Sequence, residues 1–210
     1  MPATDAVLFD FDGVIVESEH IKSKAFRCLY APYGADVVAA AVAHHMAHGG
    51  ISRRKKIRHC HRALLGIELG ADELDALCHR FSTLVEDEVA ASPMVPGAEA
   101  LLQALLGRLP MFIISGTPQE ELVRIVDRRD LSRYFAGVFG SPREKPEVID
   151  EILTRNRFAA AACVFIGDAM TDYLAARACD VPFIGRVAAG NADPFPPGTR
   201  VVPDLTRFVL

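Results

Sequence analysis

The chain has 210 residues, of which 50% are hydrophobic and 24% charged, with a net charge of −4 and a pI near 6.0. That composition fits one globular domain with room for a modest insert and excludes a disordered chain. Without a positive excess nucleic acid is not an expected partner, and without an apolar run of ~18 residues neither is a membrane.

In chain order, Ala6–Phe9 is a short apolar run ending at Asp10. Such a run predicts a strand covered on both faces, as in a parallel sheet. Val14–Val16 follows as a small flap. From Ser18 to about Ala90 the pattern turns helical. Ser18 is expected to cap a helix to about Tyr30, a second covers about Ala35–Ala47, and Gly49-Gly50 stops it. Ser52 is expected to cap a third helix, with Ile57, Cys60 and Leu64 on one face. A fourth, N-capped by Asp72, runs to about Val89 with Leu74, Leu77, Phe81 and Leu84 inward.

The segment Ala91–Gly97, ASPMVPG, reads as a hinge. Strand and helix then alternate: a helix over about Ala98–Leu106, the strand MFIIS ending at Ser115, a helix from near Pro118 to near Arg128, the strand GVFG, a helix over about Pro146–Asn156, the strand CVFIGD ending at Asp168, a helix over about Thr171–Ala178, the strand VPFIG, and a last short strand near Val201. This alternation predicts an α/β fold with a doubly wound parallel sheet and right-handed crossovers. The helical block interrupts it as an inserted all-helical cap, giving a core of residues 1–17 and 92–210 and a cap of residues 18–91.

Ligands of such sheets bind at the carboxyl ends of the strands. Three strands end in polar residues here: Asp10 with Asp12, Ser115, and Asp168 with Asp172. Lys145 lies just after a fourth. Asp10 and Asp12, two apart on an extended chain, face the same side. Converging carboxylates repel unless a cation sits between them, and aspartate oxygens with water and phosphate suit Mg²⁺. The cation and a lysine ammonium would also let an anionic nucleophile approach an anionic phosphate. Singly, each feature has an ordinary reading: Asp12-Gly13 as a turn, Ser115-Gly116 as strand-end punctuation, Thr117 as a structural N-cap, Asp172 as a first-turn acid. Their joint occurrence, in this order and at strand ends, is poorly explained by chance.

The set DFDGV, IISG, the lysine of REKPE, and GDAMTD resembles the four motifs of the haloacid dehalogenase-like hydrolases, over nearly the whole chain. The resemblance implies that Asp10 attacks phosphorus to form an aspartyl-phosphate, and that Asp12 protonates the leaving group and then activates water. It implies a Mg²⁺ site of Asp10, Asp12 (through its backbone carbonyl) and Asp168, a phosphoryl site of Ser115 and the Gly116 amide, charge stabilisation by Lys145, and Asp172 orienting Lys145 or a metal-bound water. The true dehalogenases lack an acid at the position of Asp12, so dehalogenation is not expected.

The cap insert resembles the subgroup of phosphoglycolate phosphatase and β-phosphoglucomutase. Glu17, where many relatives carry Asp, is given no chemical consequence. GISR, Gly50–Arg53, resembles the β-phosphoglucomutase cap loop whose arginine grips the non-reacting phosphate. Arg53, four residues before Ile57 on the apolar side of its helix, is therefore expected to select the substrate. Arg54, Lys55, Lys56 and Arg62 are read as a solvated face. All seven histidines lie between His20 and His79, in the cap. His44, His45 and His48 could line the same mouth, but they lack the partners of a zinc site.

The expected function is a Mg²⁺-dependent phosphatase of a small phosphorylated metabolite, with a phosphosugar mutase as the alternative and a non-enzymatic binding module third. Five cysteines without CxxC spacing and no secretory leader predict reduced thiols in the cytoplasm. No surface reads as an interface, so a monomer is expected.

Overall fold

The computed structural model describes residues 4–207. Six strands form one parallel sheet in the order β3-β2-β1-β4-β5-β6. They are β1 (Ala6–Phe9), β2 (Met111–Pro118), β3 (Gly137–Ser141), β4 (Cys163–Gly167), β5 (Phe183–Arg186) and β6 (Val201–Val202). β1 lies centrally, between β2 and β4, so the chain switches direction across the sheet beside the end of β1. Alternate residues of β1 face opposite layers. Val7 and Phe9 join one hydrophobic cluster with Leu122 and Ile125, while Ala6 and Leu8 join another with Val148, Ile149 and Ala176.

Four helices, α1 (Glu19–Tyr30), α2 (Ala35–Ala47), α3 (Arg53–Leu65) and α4 (Ala71–Ala91), form the inserted helical cap. Four more, α5 (Ala98–Leu105), α6 (Gln119–Arg128), α7 (Lys145–Asn156) and α8 (Met170–Ala178), flank the sheet. The cap buries Phe26, Tyr30, Ile57, Leu74 and Phe81 in its own interior.

Several helix ends differ from expectation. α4 begins after Gly70, not Asp72; Glu73 reaches back to accept the Gly70 amide at 2.9 Å, while Asp72 sits in the first turn, where it suits the helix dipole. Leu77 and Leu84 are only partly buried, and Val85 and Val89 fill the inner stripe instead. Neither Ser18 nor Ser52 makes a side-chain capping bond. β2 continues past Ser115 because Pro118 pairs with Ser141 after a break in register.

Candidate active site

The carboxyl ends of β1, β2 and β4 and the start of α7 meet at one place. Asp10 follows β1, and its amide donates to Ile166 of β4 at 2.9 Å. Its Oδ1 accepts the Phe11 amide at 2.8 Å and lies 3.2 Å from Lys145 Nζ. Lys145, first residue of α7, also pairs with Asp172 of α8. Asp172 in turn accepts the Ala169 amide at 3.0 Å. One buried ammonium is thus shared between two carboxylates. Burial works against the Lys145 ammonium, but Asp10 and Asp172 outweigh it and push its pKa up.

Asp10, Asp168 and Asp172 each offer an oxygen within 4.8 Å of the others. Burial, with repulsion from neighbouring carboxylates, pushes Asp10 and Asp168 above the usual carboxylate range. The Asp168 side chain has no hydrogen-bond donor among the described residues. A half-buried carboxylate without a donor, facing two others, is a donor set that a hard divalent cation would satisfy. The turn after β1 makes room for it. Gly13 has φ +74°, and a Cβ there would stand 2.1 Å from Asp168 Oδ2, so Gly serves both the backbone and the close approach.

Asp12 does not point its carboxylate at that cluster. Its Oδ1 accepts the Ser18 hydroxyl at 2.6 Å, and its Oδ2 pairs with Lys22 of α1 and accepts the Thr117 hydroxyl at 3.0 Å. Burial pushes Asp12 up, but Lys22 and these hydrogen bonds outweigh it and hold the group below the usual range. Ser18 and Thr117, both expected to cap helices, are therefore used on Asp12. Thr117 is buried in the last residues of β2, and α6 starts after Pro118. Ser115, 3% exposed, accepts the Thr117 amide at 3.2 Å.

The cap reaches the core through Gly49-Gly50, expected only as a helix stop. Thr171 donates its hydroxyl to the Gly49 carbonyl at 2.8 Å. A Cβ on Gly116 would fall 2.4 Å from the Gly50 carbonyl oxygen. Backbone thus lies against backbone over the site, closing a narrow cavity of about 60 Å³ between Asp10, Asp12, Ser115 and Gly116 below and His45 and Lys56 above. Two wider pockets adjoin it, one of about 330 Å³ sharing Ser115 and Gly116 and one of about 960 Å³ sharing His45 and Asp168, so the site is narrow at the carboxylates and wider beyond them.

Arg53 lines the cavity but is not free. Its guanidinium donates to both oxygens of Glu121 on α6, to Ser82 at 2.7 Å, and lies 4.6 Å over the Phe81 ring. Lys56, expected in solvent, is 4% exposed and donates to His45 Nδ1 at 3.0 Å and His45 O at 3.2 Å. Arg54, Lys55 and Arg62 do take outward ion pairs, with Asp75, Glu144 and Glu68. Of the three histidines expected near the mouth, His45 lines this cavity, His48 joins it in lining the pocket of about 960 Å³ beside it, and His44 stacks on His59. Glu17 pairs with the buried Arg186 at the end of β5 and ties the linker to the core.

Lys22 and Thr117 were not expected at the site. A signal for Lys22 was present in composition. The chain has only five lysines (22, 24, 55, 56 and 145) among 23 basic residues. Three of them, Lys22, Lys56 and Lys145, converge here. A compact, flexible ammonium fits between carboxylates where a planar guanidinium would not.

A family model described as haloacid dehalogenase-like hydrolase matches residues 4–180. Phosphoglycolate phosphatase 1 of Pseudomonas aeruginosa is 27% identical over 185 residues, which are 83% of this chain and 66% of that protein. A phosphoglycolate phosphatase of Yersinia pestis is 24% identical over 189 residues, 87% of this chain and 81% of that one. The chain thus spans just under two thirds of the Pseudomonas relative. The solved structure of β-phosphoglucomutase from Clostridium difficile superposes with a TM-score of 0.78 at 17% identity, covering 98% of this chain and 93% of that one, a likeness of fold alone. No helix among the described residues is long and apolar enough to cross a membrane.

Proposed function

The chain belongs to the haloacid dehalogenase-like hydrolase family, and from that premise we propose that it is a Mg²⁺-dependent phosphatase of a small phosphorylated metabolite. The observation that carries the reading is Asp10: a buried carboxylate at the end of the central strand, held by Lys145 and facing Asp168 and Asp172. Relatives named phosphoglycolate phosphatase support a small phosphorylated acid as substrate.

In this reading Asp10 attacks phosphorus. The ester P–O bond breaks, the alcohol leaves with a proton from Asp12, and the phosphoryl group rests on Asp10. Water then attacks that phosphorus, gives a proton to Asp12, and frees phosphate and the Asp10 carboxylate. Ser115 and the Gly116 amide hold the phosphoryl oxygens, and Lys145 offsets their charge. Asp10 and Asp168 would hold Mg²⁺ with the Asp12 carbonyl; Asp172 either joins them or orients Lys145. The cation would neutralise the phosphoryl group while the anionic nucleophile approaches.

Lys22 adds a constraint. Paired with it, Asp12 is a carboxylate, ready to take a proton from water but not to give one to the leaving group. The substrate's phosphoryl charge would draw Lys22 off, freeing Asp12 to pick up the proton it donates. Residues 18–91 would open and close over a core of residues 1–17 and 92–210, exchanging substrate and product. Arg53 would select the substrate only after parting from Glu121.

The approach of the cap backbone at Gly49-Gly50 to Thr171 and Gly116 also suits a phosphosugar mutase, which must protect its aspartyl-phosphate. A screen of phosphate release from phosphorylated metabolites, with Mg²⁺ and with EDTA, separates the two. A phosphatase releases phosphate only with Mg²⁺. A sugar monophosphate isomerised in the presence of its bisphosphate, without net release, would replace this reading with the mutase.

A further inference from the structure

Lys22, Arg53 and Lys56 line the cavity and Lys145 stands behind Asp10; three of these four cations already have carboxylate partners. Lys145 has Asp10 and Asp172, Lys22 has Asp12, and Arg53 has Glu121. Lys56 has none among the described residues. It stands on α3 one turn after Arg53, on the same buried stripe as Ile57 and Cys60. Its Nζ contacts only neutral acceptors, His45 Nδ1 and the His45 carbonyl oxygen. Burial holds His45 down to about 3, so the imidazole keeps the lone pair that accepts from Lys56. An ammonium has three donors, and the third has no partner among the described residues.

Asp12, Asp168 and Glu19 favour the Lys56 charge from a distance, but a buried cation with no carboxylate in ion-pair contact is costly unless something supplies one. The cost is visible here: burial, then the Lys22 charge, pushes Lys56 down to about 7. The residue sits on the cap side of the cavity, across from the core groups assigned to the ester phosphate. We propose that Lys56 is the specificity-determining residue that binds a second anionic group, a carboxylate or a phosphate, on the substrate. Lys56 lines the same narrow pocket as Asp10, Ser115 and Gly116, so that group stands only a few bonds from the ester phosphate. The inference rests on the phosphatase reading and narrows it to small phosphate esters that carry a further acid.

The test uses three esters of one carbon skeleton: ethyl phosphate, 2-phosphoglycolate, and 1,2-ethanediol bisphosphate. The wild type is expected to prefer one of the two acid-bearing esters in kcat/KM, and which one identifies the second anion. Lys56→Met should lower that preference ratio about ten- to hundredfold, the range for losing a hydrogen bond to a charged group. Lys56→Arg, which keeps the charge, should retain more of the ratio than Met. Met removes a buried charge that has no ion-pair contact, so the variant should fold; Lys56→Gln is the second uncharged variant. An unchanged ratio in both overturns the role of Lys56. A wild type that takes ethyl phosphate as well as the acids overturns the second-anion site but leaves the phosphatase reading standing. No Mg²⁺-dependent release from any ester overturns both.

Discussion

Replacing Asp10 with Asn is expected to cut phosphate release by at least about a thousandfold, because the amide cannot serve as the nucleophile. The fold should survive. Asn keeps the shape, and Lys145 keeps its pair with Asp172. The pH dependence of stability gives a second readout. Burial is the largest influence on Asp10 and raises its folded pKa above the ordinary 3.8, despite the opposing pull of Lys145. In metal-free protein the folded state then keeps a proton that the unfolded chain has released. Stability should therefore fall as pH rises from about 3.8 through the folded value. Asp10→Asn removes this loss, so in EDTA at neutral pH the variant should melt at or above the wild type. Thermal melts across pH check the stability claim, and phosphate release checks the chemistry. Wild-type turnover in the variant would remove Asp10 as nucleophile.

Arg53→Ala is expected to cost about 3–5 kcal/mol, the usual penalty for stranding one member of a buried ion pair. Glu121 is 2% exposed and would keep only the Ser82 hydroxyl as donor. For a chain of this size each 1 kcal/mol moves Tm by roughly 2–4 °C, so a fall on the order of 10 °C should be seen. Arg53→Met with Glu121→Leu, which removes both charges, should lie near the wild type. Arg53 belongs to the cap and Glu121 to the core, so this pair joins the two across the closed cavity. A loss below about 1 kcal/mol in Arg53→Ala would mean that Glu121 finds water, and that the closed contact is weak in solution.

The strand ends were legible because buried parallel strands must be continuous apolar runs; β1 has the predicted bounds of Ala6 and Phe9. Asp10, Ser115, Lys145 and Asp168 followed from those ends, since the topology gathers them at one edge. What stayed hidden depends on contacts between segments distant in sequence. Thr117 looked like an N-cap because its local spacing is right for one, but pairing of Pro118 with Ser141 extends β2 and turns Thr117 toward Asp12. Lys56 stands in the charged run SRRKKIRHCHR, whose composition implies solvent, yet its position three after Arg53 places it on the buried stripe. The Arg53–Glu121 pair, 68 residues apart, leaves no local signal at all.

The most direct test of the central claim is rapid quenching of the Mg²⁺-loaded enzyme during turnover, followed by mass spectrometry of its peptides. The account predicts one added phosphoryl group on the peptide that contains Asp10, lost at alkaline pH and absent in Asp10→Asn. Turnover with no phosphorylated Asp10 at any quench time, or with the label on another residue, would contradict it.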